Sequence, residues 1–301
     1  MAFSPDSRWL ASGSIDTTIL LWRANSHNAF EKTQKLEGGN RIHSLAFSSD
    51  GRLASAAADG SVTLWGADRE RRFREIQKLD GHRNIVHSVA FSADGETLAS
   101  CSFDNTIVFW KKHASSSQVY QAQRFVWNNS AMVLSMAFST ATSTSPRMVS
   151  TFTDLRTVVW GLDRGGQFQE IQALEGLKES VYGVAFSPDG RLATGSCDAV
   201  IVLWEKGREG REGRFQQVQR LKGHTNMIHS VAFSPDGRRL ASGAADGDVL
   251  LWEAGPDRQF RQIQKLQGHN SGVYSVAFSP DSRWLASSSK NGKVMIWEAD
   301  Y

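Results

Sequence analysis

The chain has 301 residues, 40% of them hydrophobic, enough to bury roughly three quarters of its unfolded surface without a metal or a disulfide. A net charge of +3, from 34 Lys and Arg against 31 Asp and Glu, is too mild to point to nucleic acid or a membrane surface. Two cysteines, Cys101 and Cys197, exclude a disulfide framework, and no apolar run approaches the roughly 18 residues of a membrane span.

The expectation is a soluble intracellular protein, cytoplasmic rather than secreted, because MAFSPDSRWL also lacks the apolar region of a signal peptide. Self-similarity governs everything else. The chain opens inside a strand at Ala2-Phe3, and an Ala-Phe pair returns at Phe47, Phe91, Phe138, Phe186, Phe233 and Phe278. Each Phe is followed by a Trp near the end of its repeat: Trp22, Trp65, Trp110, Trp160, Trp204, Trp252 and Trp297. Seven repeats result, with boundaries near 1–37, 38–80, 81–127, 128–175, 176–222, 223–267 and 268–301.

The third and fifth repeats carry polar inserts, HASSSQVYQ from His113 and KGREGREGR from Lys206, which read as loops. The fourth has the least regular sequence, with Trp127-Asn128-Asn129 and a long STATSTSPR turn, yet Phe138 and Trp160 anchor it. The sixth shows the layout most clearly. IHSVAFS is a buried strand, PDG a tight turn, RRLASGA a second strand, DG another turn, and DVLLWE and FRQIQKL the third and fourth. No run is long enough for a helix. FRQIQKL alternates polar and apolar residues, which predicts an outer strand with one face packed and the other wet. In the seventh repeat no segment after Trp297 supplies such a strand, and the favoured reading is that the sequence is a piece of a longer polypeptide.

Four strands per unit, with Gly-His near one end and Trp near the other, resemble the WD-repeat family of β-propellers. Gly81-His82, Gly223-His224 and Gly268-His269 each stand nine residues, His to Phe, before Phe91, Phe233 and Phe278. The Asp that follows Trp in the family is replaced by Arg23, Gly66, Lys111, Gly161, Glu205, Glu253 and Glu298. The resemblance implies an all-β fold: a single seven-bladed β-propeller of four-stranded antiparallel blades, the last missing its outer strand. It also implies a buried hydrogen-bond network, matched by His82, Ser100, Asp104, Trp110 and by His224, Ser242, Asp246, Trp252. Trp donates, Asp accepts, and His and Ser do both, so the four satisfy one another. His269, Ser287 and Trp297 form a third set, in which Asn291 takes the Asp place. Asn129 and Leu177 occupy the His place in other repeats, where looser blades are expected.

Catalysis finds no support. The turn aspartates Asp16, Asp59, Asp104, Asp154, Asp198 and Asp246 recur once per repeat and mark architecture, and no nucleophile elbow or phosphate loop is present. No His or Cys spacing suggests a metal, and no cofactor is expected. The basic stretches at 69–72 and 206–214 mix signs and read as solvated loops.

By resemblance, partner proteins or peptides bind three positions per blade: four and six residues before the Phe, and one before the turn Asp. The first series is His43, His87, Leu134, Tyr182, His229 and Tyr274. The second includes Arg41, Ile85, Met132, Ser180, Met227 and Gly272, and the third Ile15, Phe103, Thr153, Cys197 and Lys290. Ile85, Phe103, Met132 and Leu134, beside Arg41, His43 and His87, make a candidate anchor pocket; packing around a central channel is the alternative account of the same residues. The expected function is a non-enzymatic, monomeric interaction scaffold, with the partner-binding part of a larger signalling protein as a variant of the same reading. The competing class is a propeller that binds a small ligand or catalyses in its channel, and it is disfavoured by inner strands reading VAFS.

Overall fold

The computed structural model describes residues 1–25, 29–112, 119–127, 131–139, 146–207 and 213–298. The place of Asn129, most of the STATSTSPR turn and the centres of the two polar inserts lie outside the described residues.

Every regular element among the described residues is a strand. The first blade comprises β1 (Ala2–Phe3), β2 (Trp9–Gly13), β3 (Thr18–Ala24) and β4 (Phe30–Glu37). The second holds β5 (Ile42–Phe47), β6 (Leu53–Ala57), β7 (Val62–Ala67) and β8 (Phe73–Leu79). The third holds β9 (Val86–Phe91), β10 (Thr97–Ser102), β11 (Thr106–Lys112) and β12 (Val119–Val126). The fourth holds β13 (Val133–Phe138), β14 (Arg147–Phe152), β15 (Thr157–Leu162) and β16 (Phe168–Ala173). The fifth holds β17 (Val181–Phe186), β18 (Leu192–Ser196), β19 (Val200–Lys206) and β20 (Phe215–Lys222). The sixth holds β21 (Ile228–Phe233), β22 (Arg239–Ala244), β23 (Val249–Ala254) and β24 (Phe260–Leu266). The seventh holds β25 (Val273–Phe278), β26 (Trp284–Ser289) and β27 (Val294–Glu298).

In each sheet the strands pair in chain order, giving a seven-bladed β-propeller with six four-stranded blades and a three-stranded last blade among the described residues. The expected fourth blade is present as a full sheet. The strands fall into two compact units, Met1–Met136 and Ala137–Tyr301.

Within each unit the core lies between consecutive blades. In the first unit Ile19, Leu21 and Leu36 pack on Ile42, Leu45 and Leu53. In the second Ile201, Leu203 and Leu221 pack on Leu240, Leu250 and Trp252. Second strands read Leu-Ala-Ser-Gly-Ala or close variants because the neighbouring blade comes very near. A Cβ added at Gly195 would lie 2.6 Å from Ile228 Cγ2, and one at Gly243 would lie 2.6 Å from Val273 Cγ1. A larger residue at either place would force the blades apart.

The outer strands depart from the expected alternation. In β24 only Phe260 and Leu266, at its ends, are buried, and Ile263 is 45% exposed. The cause is a β-bulge: Leu251 pairs with Gln264 and Trp252 with Gln262, so Ile263 is the extra residue and turns outward. The same shift leaves Ile76 and Val218 exposed in β8 and β20.

Candidate functional site

The hydrogen-bond network forms as its residue types require. In the third blade the Trp110 indole donates to Ser100 Oγ at 2.9 Å, and His82 Nε2 lies 2.7 Å from the same oxygen. His82 Nδ1 is 2.9 Å from Thr106 Oγ1 and 3.3 Å from Asp104. Asp104 also accepts from the Arg83 amide at 2.8 Å. Burial alone would raise the Asp104 carboxyl, but hydrogen bonds from His82, Thr106 and Arg83 outweigh it and hold the group well below the ordinary carboxylate range. The sixth blade repeats this arrangement: Trp252 to Ser242 at 2.9 Å, His224 to Ser242 at 2.8 Å, and His224 to Asp246 at 3.0 Å. Burial lowers the His224 imidazole, against the pull of Asp246.

In the seventh blade Trp297 donates to Ser287 at 3.0 Å and His269 Nε2 lies 2.7 Å from Ser287. Asn291 instead accepts from Ser289 and the Lys293 amide. His269 Nδ1 is buried and has no partner among the described residues. The Trp-to-Ser/Thr bond recurs where the His is missing, from Trp22, Trp65, Trp160 and Trp204 to Ser12, Ser55, Ser150 and Thr194. It is the invariant part of the blade.

The three candidate positions meet at one end of their blades through backbone geometry. Phe103 N donates to Ile85 O at 3.0 Å, joining the third-series residue to the second. Cys197 to Ser180, Ala245 to Met227 and Lys290 to Gly272 repeat that bond in the fifth, sixth and seventh blades. The first-series residue then occupies a β-bulge. In β9, Ser102 pairs with Val86 and Cys101 with Ser88, so His87 is the extra residue. His43, Tyr182, His229 and Tyr274 are the extra residues in β5, β17, β21 and β25. A bulge lifts one side chain out of the pleat and re-aims it, and bulges concentrate beside functional sites.

In the first unit these side chains gather. The His87 and Phe103 rings stack with centroids 5.2 Å apart, and the His43 ring stands 5.7 Å from His87. Burial and the nearby Arg41 guanidinium lower the His43 imidazole. Arg41 and His43 are exposed, Ile85 and Phe103 half-buried, and Met132 is 39% exposed. Leu134 is buried, so it offers packing and its carbonyl, which faces His87 Nδ1. In the second unit His229 lies 4.9 Å from Tyr274 and 6.3 Å from Tyr182, both edge-on. Burial lowers the His229 imidazole. Met227 is half-buried.

These clusters offer aromatic faces, imidazoles and one guanidinium, without a paired acid and base. Among the described residues no three His, Cys, Asp or Glu side chains gather as a metal site requires. No helix of the described residues is long and apolar enough to cross a membrane. Two clefts lie away from these clusters. One of about 670 Å³ is lined by Trp9, Asp50, Arg52, Asp68, Arg71 and Arg74, among others. The other, of about 320 Å³, lies beside Arg147, Arg191, Phe215 and Arg258.

A feature that sequence reading passed over is a glutamine clasp on the outer strands. Gln34 accepts from Phe73 N at 2.9 Å and donates to Phe73 O at 2.7 Å. Gln77 does the same to Val119, Gln172 to Phe215 and Gln219 to Phe260. The signal was a Gln four residues after the Phe in successive outer strands, visible once those strands are aligned.

The repeated four-stranded blade and its Trp–Ser bond define a class, the WD-repeat propellers. The chain belongs to that family: the family model described as "WD domain, G-beta repeat" matches residues 1–23, 30–66, 73–111, 168–205, 215–253 and 260–298. The unmatched stretch between 111 and 168 contains most of the fourth blade, the least regular repeat in sequence.

Among curated proteins, the chain is 32% identical over 112 residues to a probable cytosolic iron-sulfur protein assembly protein 1 of Cryptococcus neoformans, covering 37% of this chain and 23% of that protein. It is 26% identical over 137 residues to protein hir1 of Schizosaccharomyces pombe, covering 41% of this chain and 14% of that protein. The chain thus spans less than a quarter of the length of the relatives it matches. WD-repeat propellers are commonly protein-interaction scaffolds and generally non-enzymatic.

Proposed function

We propose that this propeller is a protein-interaction scaffold without catalytic activity, and that it holds an extended peptide on the blade ends carrying Arg41, His43, Ile85, His87, Phe103 and Met132 in its first unit. The observation that carries the reading is the bulge at the first-series position: five blades each spend one extra inner-strand residue to lift a His or Tyr out of the pleat. The stacked His87–Phe103 pair provides a flat apolar surface, and Arg41 gives the rim a positive charge. Such a surface suits a peptide with an apolar or aromatic anchor flanked by an acidic residue. Tyr182, Met227, His229 and Tyr274 supply further contacts in the second unit.

Partners are proteins or peptides, not nucleic acid, consistent with the nearly balanced charge. The name of the Cryptococcus relative, a cytosolic assembly protein, fits a role inside the cell. The repeats act together as one monomeric domain, working as the partner-binding part of a larger signalling protein.

The test compares the unaltered chain with a His87→Ala, Phe103→Ala, Met132→Ala variant, since these side chains are exposed or half-buried and their loss spares the core. Quantitative affinity capture is expected to recover a defined set of proteins with the unaltered chain and to lose at least 90% of each with the variant, a loss on the order of 1.4 kcal/mol or more. Equal recovery by both proteins would place the contact elsewhere. Small molecules that raise the melting temperature, with no protein captured, would replace the scaffold reading with a ligand-binding one.

A further inference from the structure

The smaller of the two clefts holds more positive charge than its own acids neutralise. It lies in the second unit, at the end of β17 opposite to Tyr182, and has a volume of about 320 Å³. Its lining includes the cations Arg147, Arg191, Lys206 and Arg258 and the acids Asp189 and Glu205. Both acids are already engaged. Arg191 lies 3.0 Å from Asp189, and Arg258 lies 3.4 Å from Asp189 and 3.2 Å from Glu205. Among the described residues no carboxylate pairs with Arg147 or Lys206.

These two cations converge on one place. A Cβ added at Gly213 would lie 3.5 Å from Lys206 Cδ and 3.7 Å from Arg147 Nη2. Arg147 Nη1 donates to the Gly213 carbonyl at 3.3 Å, and its guanidinium stands 6.0 Å from the centre of the Phe215 ring. Burial lowers both groups, and the Arg147 charge lowers Lys206 further, as like charges held together must.

The third blade shows how an equivalent cation is neutralised. Lys112 follows Trp110 at the same interval as Lys206 follows Trp204. Its Nζ lies 3.0 Å from Asp50, in the first turn of the preceding blade, and 3.8 Å from Glu96, in the first turn of its own. Lys206 has neither counterpart. The first turn of the fourth blade, STATSTSPR, contains no acidic residue. In the fifth blade Asp189-Gly190-Arg191 is one residue shorter than Asp94-Gly95-Glu96-Thr97, so the place of Glu96 is lost.

We propose that Arg147 and Lys206 form a binding site for a phosphate dianion, at the opposite blade ends from the aromatic clusters and independent of them. An anion between the two side chains replaces their repulsion with charge-assisted hydrogen bonds. The guanidinium supplies a planar fork of donors and the ammonium a point charge, and both match phosphate oxygens. A terminal phosphate carries about 1.5 to 2 negative charges at neutral pH, close to the local excess, so it neutralises both cations where a single carboxylate would leave one.

The test titrates inorganic phosphate, and in a second arm O-phosphoserine, into the 301-residue chain at constant ionic strength and reads the phosphorus NMR line width. Saturable broadening is expected. Tighter binding of O-phosphoserine assigns the group to an ester on a partner molecule, and equal or tighter binding of inorganic phosphate assigns it to the free ion. Lys206→Gln, at an exposed position where the fold is undisturbed, weakens binding about tenfold, and Arg147→Gln does the same. Lys112→Gln removes the neutralised cation of the third blade and leaves binding unchanged. The His87→Ala, Phe103→Ala, Met132→Ala variant also binds phosphate as the unaltered chain does, so failure of the blade-end reading and failure of this one give different results. Absence of saturable broadening in both arms, a Lys206→Gln variant that binds as tightly as the unaltered chain, or an equal loss in Lys112→Gln overturns the proposal.

Discussion

His269 isolates the value of one acceptor. Its Nε2 finds Ser287, as His82 finds Ser100 and His224 finds Ser242, but its Nδ1 has no partner among the described residues, and Asn291, in place of the aspartate, turns to Ser289 and Lys293. A buried polar atom left unsatisfied costs on the order of 1–3 kcal/mol. Asn291→Asp is therefore expected to stabilise the chain by about 1 kcal/mol, raising Tm by about 2 °C in thermal denaturation. A lower Tm would show that the His–Ser–Trp chain is complete without the carboxylate. The substitution at 291 was legible in the sequence because its place in the repeat is fixed. What became of the stranded nitrogen was not, since that depends on where an amide side chain swings.

At the scale of the element, the strand positions of the sixth repeat were legible almost to the residue: IHSVAFS, RRLASGA, DVLLWE and FRQIQKL became β21, β22, β23 and β24. Bulges were not legible. A period-two pattern assigns alternate faces and sets Ile263, three residues from Phe260 and from Leu266, opposite both, but it gives no sign that Ile263 is the extra residue of a bulge. The same device lifts His87 and Tyr274 from their inner strands, so what defeated one expectation also builds the candidate site. The turns between second and third strands carry strain of their own. Gly60, Gly247 and Gly292 adopt positive φ after the turn Asp or Asn, whereas the first blade places Thr17 there at φ 77°. A β-branched residue in the left-handed region costs roughly 1–2 kcal/mol. Thr17→Gly is expected to recover about 1 kcal/mol net of glycine's greater unfolded freedom, seen as a higher midpoint in urea; an unchanged or lower midpoint would mean that Thr17 makes compensating contacts.

Across the molecule, the period of Phe and Trp was enough to count seven blades, including the fourth, most of which the family model leaves unmatched. Periodicity survives substitutions that erase a local motif, because the repeat Phe is buried in four blades and partly buried in the other three, and the repeat Trp is buried in five and partly buried in two. The glutamine clasps escaped notice for the opposite reason: Gln is unremarkable on a wet strand until the structure shows its amide joining one blade's outer strand to the next. The candidate positions were found by resemblance alone, and their gathering into the His43–His87–Phe103 and Tyr182–His229–Tyr274 clusters required the bulges. The account rests on those blade ends being where partners sit. Site-specific photo-crosslinking tests this most directly, with benzoylphenylalanine placed at Phe103, at Tyr274 or at the exposed outer-strand residue Ile263. The account predicts that Phe103 and Tyr274 each yield covalent adducts with polypeptides, competed by excess unlabelled chain, and that Ile263 yields none. Adducts from Ile263 with none from Phe103 or Tyr274 would contradict it.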